Sequence, residues 1–234
     1  GEDEKEHHIW TTSWGISTRL IGALVMVHGD DKGLVLPPRA APYQVVIVPI
    51  FYKEAKKDLI LKKAREALKR LEENGLAAIL DDRAEYTPGW KFNEWELKGV
   101  PIRVEIGPRD VDLKQVVLAR RDTLKKVNVK EEDLVDTIDK ILVQIQNNLL
   151  NKAKKFLQEH TTSVKSYKEF KEVLRKKGGL IKACWCSSDD CEKKINEETG
   201  ATLRVIPFEK EKVFSNCVYC GKEAKEVVFF ARAY

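Results

Sequence analysis

The sequence predicts an α/β (α+β) protein in which a mixed-sheet domain precedes a small domain held together by cysteines. Residues 43–50, YQVVIVPI, form a short β-branched apolar run, which is typical of a strand buried on both faces. Apolar residues between Ile60 and Leu71 recur at helical spacing. All five cysteines lie between short β-rich pieces at the end of the chain, and none precedes Cys184. The predicted order strand–helix–strand–strand–strand–helix favours a mixed sheet.

The first predicted elements lie before residue 42. Residues 16–28, ISTRLIGALVMVH, fit an apolar helix that Ser13 or Ser17 would cap. The run LVLPP at 34–38 is strand-like and is ended by its two prolines. We therefore place a domain boundary near Ala41.

The central segment alternates between helix and strand patterns. Its first helix should end at Asn74-Gly75, where glycine takes the left-handed conformation. Residues 100–106, VPIRVEI, alternate between apolar and charged side chains, which predicts a strand with one polar face. The remaining predicted elements are helices at about 54–73 and 131–160 and strands at 76–80 and 115–121.

The C-terminal part is predicted to form a further unit. SYKEFKEVLRKKGG fits a helix that ends at its two glycines, and TLRVIPF and EVVFFARAY supply short strands. Residues 147–182 carry nine Lys and one Arg against three Glu, an excess of seven positive charges. This excess suits a polyanion partner, although a solvated helix face explains it equally well on composition alone.

Composition excludes several classes of protein. Hydrophobic residues make up 43% of the chain, which is enough for ordinary packed cores. No apolar run reaches the roughly 18 residues of a membrane span, and the N-terminal GEDEKEHH lacks the apolar core of a signal peptide. These features predict a soluble, cytoplasmic protein without a membrane partner. In a reducing compartment, clustered cysteines more often hold a metal than form disulfides.

The cysteine spacing predicts a structural zinc site. Four residues separate Cys186 from Cys191, and two separate Cys217 from Cys220. Two thiolate pairs on tight turns suit tetrahedral zinc, and four protein ligands close the site to substrate. Cys184 is a rival to Cys186 as the first ligand. Plain buried cysteines and a redox pair are the alternatives, but a redox pair should open a helix, whereas a glycine and a β-rich tail follow here.

Three stretches of the sequence carry a resemblance to a known family. They are TTSWGISTRLIGALVMVHGDDKGLVLPPRAAPYQVVIVP, PGWKFNEWELKGVPIRVEIGPRD and the cysteine unit that ends in FFARAY. In this order they resemble prolyl-tRNA synthetases of the archaeal and eukaryotic type over the whole chain. The resemblance implies the end of a class II antiparallel catalytic domain with its third signature motif at 1–41, an anticodon-binding domain at 42–145 and a zinc-binding C-terminal domain at 146–234.

The resemblance also implies a reaction. The family activates proline with ATP and magnesium, transfers it to tRNA(Pro), and works as a homodimer. The first two signature motifs of the class have no counterpart in this sequence, so we expect the chain to be a C-terminal portion that is inactive alone. A non-catalytic tRNA-binding module and a zinc-dependent interaction module are the alternatives. The family habit of ending in a tyrosine near the active site would apply to Tyr234.

Four residues match the ATP-binding part of the family. In the motif G-x-x-x-R the arginine contacts ATP, and here it is Arg19, the predicted catalytic residue. Its planar charge suits a polyphosphate. Ser17 matches a residue that touches the nucleotide, while Trp14 and Gly15 would shape the pocket floor. Without the flanking match, a surface salt bridge would be the simpler explanation of Arg19.

The predicted tRNA-binding residues lie in the second stretch. Phe92 and Trp95 offer flat faces for splayed anticodon bases, unless they are core aromatics that cover the sheet edge. Proline anticodons carry two guanines, so Glu105 would accept from the N1 and N2 edge of a guanine and Arg109 would donate to O6 and N7. Three further residues complete the predicted set: Lys91 and Arg103 for phosphates, and Asp110 beside the two readers.

Overall fold

The computed structural model describes residues 1–9, 11–51 and 56–232, and the chain divides into two compact units at residue 150. Each unit is built on its own mixed sheet, which confirms the α/β (α+β) class. None of the helices in the described ranges is both long enough and apolar enough to cross a membrane. Tyr234 lies outside the described residues.

A five-stranded sheet forms the centre of the first unit. Its strands are β1 (Val45–Pro49), β2 (Ala78–Leu80), β3 (Ile102–Ile106), β4 (Gln115–Arg120) and β5 (Lys126–Lys130). Their order in the sheet is β2-β1-β3-β4-β5. β1 is parallel to both of its neighbours, and the other pairs are antiparallel.

Helices cover the two faces of this sheet unequally. The helices of the unit are α1 (Arg19–His28), α2 (Lys57–Glu73), α3 (Pro88–Lys98), α4 (Pro108–Asp112) and the part of α5 (Leu134–Glu159) that precedes residue 151. α2 and α5 pack in one core with alternate strand residues such as Val45, Ile102 and Leu118. On the other face, Trp95 of α3 packs against Val46 and Val48 of β1. Arg103 and Glu105 of β3 lie on this second face, beside α3.

Most predicted elements of the first unit are confirmed. Gly75 has φ +78 at the end of α2, as the Asn-Gly pair predicts. The predicted serine cap of α1 is wrong, because Thr18 takes the cap position and its side chain makes no capping hydrogen bond. Sequence reasoning omitted α3, α4 and β5.

Two expectations about strands need correction. LVLPP forms no strand; the amides of Leu34 and Leu36 instead donate to Leu97 O and Gly99 O at the end of α3, at 3.0 and 3.1 Å. The polar face predicted for the strand at 100–106 is present on β3 as Arg103 and Glu105, but both residues are buried, as is the rest of the strand. The predicted division at residues 41 and 145 stays a prediction.

The second unit contains a four-stranded sheet. Its strands are β6 (Thr161–Ser163), β7 (Leu180–Trp185), β8 (Ala201–Val205) and β9 (Glu226–Arg232), in the order β6-β7-β9-β8. The predicted helix is α6 (Tyr167–Lys176), which begins where the Ser166 hydroxyl accepts from Glu169 N at 3.3 Å. α7 (Asp189–Thr199), which was not predicted, begins between two cysteines. Phe170, Ile195 and Phe230 are fully buried in the core of this unit.

Candidate functional site

A recess of about 180 Å³ opens beside α3, over β3 and β4. Its walls are partly apolar, from Val100 and Ala119, and partly charged, from Glu96, Arg103 and Lys126. It is smaller than the roughly 300–1,000 Å³ pockets that hold drug-sized ligands. The recess therefore suits a ligand group smaller than a drug-sized molecule, with both apolar and charged contacts.

A network of charged side chains borders the recess: Glu96, Arg103 and Lys126 line it, and the buried Glu105 lies behind them. Glu105 Oε1 accepts from Arg103 Nε at 3.1 Å and Nη2 at 3.0 Å, and its Oε2 accepts from Lys126 Nζ at 2.8 Å. Arg103 Nη1 also donates to Glu96 Oε1 at 3.1 Å. Each oxygen of Glu105 thus has a cationic partner. Because Glu105 is also buried, we expect a ligand to reach this carboxylate by displacing one of the two cations.

The predicted aromatic residues occupy different environments. The Arg103 guanidinium lies 4.1 Å from the centre of the half-buried Phe92 ring, so it covers one face of that ring. Trp95 is 7% exposed, and its Nε1 donates to Asp81 Oδ2 at 2.8 Å. Trp95 is therefore a core aromatic, which is the structural alternative that the sequence left open.

Lys91 also belongs to the core. It is 3% exposed, its Nζ donates to Asp81 O at 3.0 Å, and the same nitrogen lies 3.6 Å from Asp81 Oδ1. This placement does not suit the predicted phosphate contact. Arg103 is equally unsuited in its present position, because its guanidinium is engaged by two glutamates and a ring.

The remaining predicted readers lie at the start of α4. Arg109 is exposed there. Asp110 Oδ2 accepts from Gly107 N at 2.8 Å, and its Oδ1 accepts from Gln115 Nε2 at 3.4 Å. Asp110 therefore fixes the turn that presents Arg109, whose role in base reading stays a prediction.

Sequence reasoning missed an exposed aromatic pair at the start of α3, the helix beside the recess. Tyr86 and Trp90 stack with their ring centres 3.8 Å apart and an interplanar angle of 12°. The Arg83 guanidinium lies 4.9 and 5.3 Å from the two ring centres. The signal was present, because Thr-Pro at 87–88 marks the start of a helix. That start places Trp90 on a different face from the buried Trp95.

The residues that match the ATP-binding motif lie on an exposed segment. Trp14 is 96% exposed, and Gly15, Ser17 and Arg19 are exposed as well. α1, which begins at Arg19, buries none of its residues. The four residues are therefore neighbours in the chain on an exposed segment, and their contacts with a nucleotide stay a prediction.

Four cysteines of the second unit form a compact group. The sulfurs of Cys186, Cys191, Cys217 and Cys220 all lie within 4.8 Å of one another. Two of the separations are 3.6 Å, between Cys186 and Cys191, and 3.8 Å, between Cys220 and Cys186. A tetrahedral zinc ion with bonds of about 2.3 Å places its sulfur ligands about 3.8 Å apart. The donor set and its spacing fit a tetrahedral metal ion.

The fold positions these cysteines from three elements. Cys186 follows β7, Cys191 lies in the first turn of α7, and Cys217 to Cys220 form a turn closed by Gly221 N donating to Cys217 O at 3.0 Å. Cys184 lies outside the group, fully buried in β7, where its sulfur accepts from Phe214 N at 3.4 Å. The geometry thus favours Cys186 over Cys184, and no helix follows the second pair as a redox motif would require.

The thiols of this group differ in acidity. Burial raises the pKa of Cys191 to about 12, whereas a backbone hydrogen bond from Lys222 lowers the pKa of Cys220 to about 7. A bound cation deprotonates coordinating thiols outright. The arrangement can therefore hold a divalent metal as four thiolates.

Comparison with known proteins finds family matches over the two regions that contain these residues. Residues 44–141 match the family described as "Anticodon binding domain", and this range contains most residues that line the recess. Residues 167–234 match the family described as "Prolyl-tRNA synthetase, C-terminal", and this range contains the four cysteines. The chain is 53% identical over 227 residues to the proline–tRNA ligase of Alkaliphilus oremlandii, covering 97% of this chain and 46% of the relative.

Two further relatives show the same pattern. The proline–tRNA ligase of Natranaerobius thermophilus is 48% identical over 235 residues, covering 100% of this chain and 48% of the relative. Proline–tRNA ligase 2 of Clostridioides difficile is 51% identical over 223 residues, covering 95% of this chain and 46% of the relative. The chain spans about half the length of these curated relatives. Taken together, the matches show a prolyl-tRNA synthetase C-terminal region, in which an anticodon-binding domain precedes the family's C-terminal domain.

Proposed function

We propose that this chain supplies the tRNA-reading and metal-stabilised regions of a cytoplasmic proline–tRNA ligase. The whole enzyme would activate proline with ATP and magnesium, attach it to tRNA(Pro), and act as a homodimer. The names of the relatives support this activity. Because the relatives are about twice as long as the chain, we propose the activity for the whole protein. Arg19 would contact ATP there, with Ser17, Gly15 and Trp14 around it.

The recess is the proposed reader of an anticodon guanine. The observation that carries this proposal is a pair of carboxylates, Glu96 and Glu105, held beside Arg103 and Lys126 within the matched anticodon-binding domain. A carboxylate accepts from the N1–H and N2–H groups of guanine, and a cation donates to O6 and N7. No other base offers that donor and acceptor pattern on these edges.

Binding would proceed by exchange of partners at Glu105. Guanine N1–H and N2–H would replace Lys126 Nζ on the carboxylate, and the released ammonium would donate to guanine O6. Each buried polar group then keeps a partner, which avoids the penalty of about 1–3 kcal/mol for an unsatisfied group. A base without those donors would leave Glu105 unsatisfied, and the site would reject it.

The test is a titration of the chain with tRNA(Pro) and with the same tRNA carrying its two anticodon guanines changed. We expect the change to weaken binding by at least an order of magnitude, about 1.4 kcal/mol. Glu105→Gln should abolish this preference, whereas Glu73→Gln, at an exposed position on α2, should keep it. Equal binding of the two RNAs would contradict anticodon reading and would favour a zinc-dependent interaction module.

The stacked pair of Tyr86 and Trp90 is a proposed platform for a second unpaired base of the same RNA. Trp90 is 42% exposed and already held against Tyr86, so little conformational entropy is lost on binding. Trp90→Ala should weaken tRNA(Pro) binding by about 1–3 kcal/mol, the usual value for one stacked base. Trp90→Phe keeps an aromatic face and should retain most of the affinity when it is titrated with the same tRNA. Equal loss in both variants would argue against stacking.

Cys186, Cys191, Cys217 and Cys220 are the proposed ligands of a structural zinc ion. The fit of their sulfur separations to a tetrahedral site supports this assignment. Zinc would supply a cross-link between β7, α7 and the turn at Cys217. No position is left for substrate, so its contribution is to folding.

A further inference from the structure

Three side chains outside the sulfur group, those of Tyr167, Glu198 and Tyr219, are connected by hydrogen bonds next to it. Glu198 Oε1 accepts from the Tyr219 hydroxyl at 2.8 Å, and Glu198 Oε2 accepts from the Tyr167 hydroxyl at 2.9 Å. The two tyrosine rings meet edge to face, with their centres 5.0 Å apart. One carboxylate thus joins α6, through Tyr167, to the turn that contains Tyr219.

The position of each residue relates this contact to the metal centre. Tyr219 lies between Cys217 and Cys220 in the same turn. Glu198 lies on α7, seven residues after Cys191, which is about 10.5 Å along a helix axis. α7 is therefore linked to the turn at two separated points, by the sulfur group near its start and by Glu198 near its end.

The other side of the turn is attached differently. Val218 N donates to Cys184 O at 2.9 Å, which fixes the backbone of the turn on β7. The hydrogen bond between the turn and α7 comes from the Tyr219 side chain. Without the hydrogen bond from Tyr219 to Glu198, the turn would be free to rotate about its attachment to β7, and this rotation would move Cys217 and Cys220 away from Cys191.

We propose that Tyr167, Glu198 and Tyr219 form a clamp that holds the Cys217–Cys220 turn against α7 and slows the release of the bound metal. The clamp rests on the proposed zinc site. Its members are positioning residues, because the sulfurs alone would contact the ion. Loss of a partner that orients metal ligands typically costs about 10–100-fold in metal affinity. We expect the clamp to act at the lower end of that range, since it restrains ligands through a turn.

The experiment measures zinc release from the 234-residue chain to an excess of a chromophoric chelator. Tyr219→Phe and Glu198→Gln should release zinc about ten-fold faster than the wild type, and Tyr167→Phe should fall between them and the wild type. Glu172→Gln is the matched control, because Glu172 forms an ion pair with Lys176 on α6 and this ion pair involves no clamp residue. Circular dichroism of the zinc-loaded variants checks that each is folded.

The outcomes separate the clamp from the metal site itself. A wild-type chain that holds zinc, together with unchanged release from Tyr219→Phe and Glu198→Gln, overturns the clamp and leaves the metal site standing. A wild-type chain that binds no zinc overturns both. If Glu198→Gln does not fold, Tyr219→Phe decides alone, since it removes one hydroxyl group.

Discussion

Replacing Cys191 with serine is expected to abolish metal binding and to unfold the unit after residue 150, while the first unit stays folded. Cys191 is one of four sulfurs within 4.8 Å, and it joins α7 to the turn at Cys217. In zinc-finger peptides the binding free energy, about 10–16 kcal/mol, is folding free energy. A small unit with one modest core has little stability to replace such a contribution.

The measurement combines zinc content per chain with thermal unfolding followed by circular dichroism. The wild type should hold one zinc and show two transitions, and chelation should remove the second. Cys184→Ala is the control, because Cys184 lies outside the sulfur group and should keep the metal despite the loss of a buried side chain. A Cys191→Ser chain with one zinc and an unchanged second transition would contradict the four-cysteine site.

Replacing Asp81 with asparagine is expected to destabilise the first unit by about 3–5 kcal/mol, the usual cost of breaking a buried ion pair. Asp81 is 3% exposed. Its carboxylate accepts hydrogen bonds from Trp95 Nε1 at 2.8 Å and from Arg83 Nε and Nη2 at 2.9 and 2.8 Å. Its carboxylate also lies 3.6 Å from the buried ammonium of Lys91. Without that charge, Lys91 remains buried as an unpaired cation.

The same residue predicts a dependence of stability on pH. Burial alone would raise the pKa of Asp81, but hydrogen bonds from Arg83 and Trp95 outweigh it and lower the pKa to about 2. A carboxyl whose pKa is lower in the folded state stabilises the fold above its unfolded pKa, near 4. That contribution should be lost as the pH falls from about 4 towards 2.

Urea unfolding followed by tryptophan fluorescence would test both expectations. The unfolding free energy of the wild type should fall between pH 4 and pH 2 more steeply than that of Asp81→Asn. Asp82→Asn is the matched control, because Asp82 is an exposed neighbour whose pairing with Arg65 spans 3.7 Å. If the two variants unfold alike at pH 7, Asp81 does not hold the core as described.

The elements that sequence reasoning found are those whose pattern is local. The buried run of β1, the helical spacing of α2 and α5 and the turn at Gly75 all follow from residues close together in the chain. The helix α3 was missed because two tryptophans, a phenylalanine and several charges obscure its period. Its start at Thr87 and its glycine stop at Gly99 were the available signals.

The candidate sites divide in the same way. The four cysteines were predicted by spacing alone, because two short motifs impose the geometry of a tetrahedral ion. The burial of Lys91, Arg103 and Glu105 was not predicted, because each is compensated by a partner distant in sequence or on another element. From sequence alone a charged residue is expected at the surface, because the partner that allows its burial is not apparent.

The internal pairing of basic side chains around the recess has a consequence for association with polyanions. Arg103 and Lys126 already have carboxylate partners within the protein. A cation neutralised in this way attracts few phosphates. If it moves to a phosphate, the carboxylate it leaves takes up a cation from solution, which offsets the counterion released from the RNA. The logarithm of tRNA affinity should therefore fall with the logarithm of salt concentration less steeply than a count of nearby cations would suggest. Discrimination between anticodons would then persist at ionic strengths that remove non-specific RNA binding.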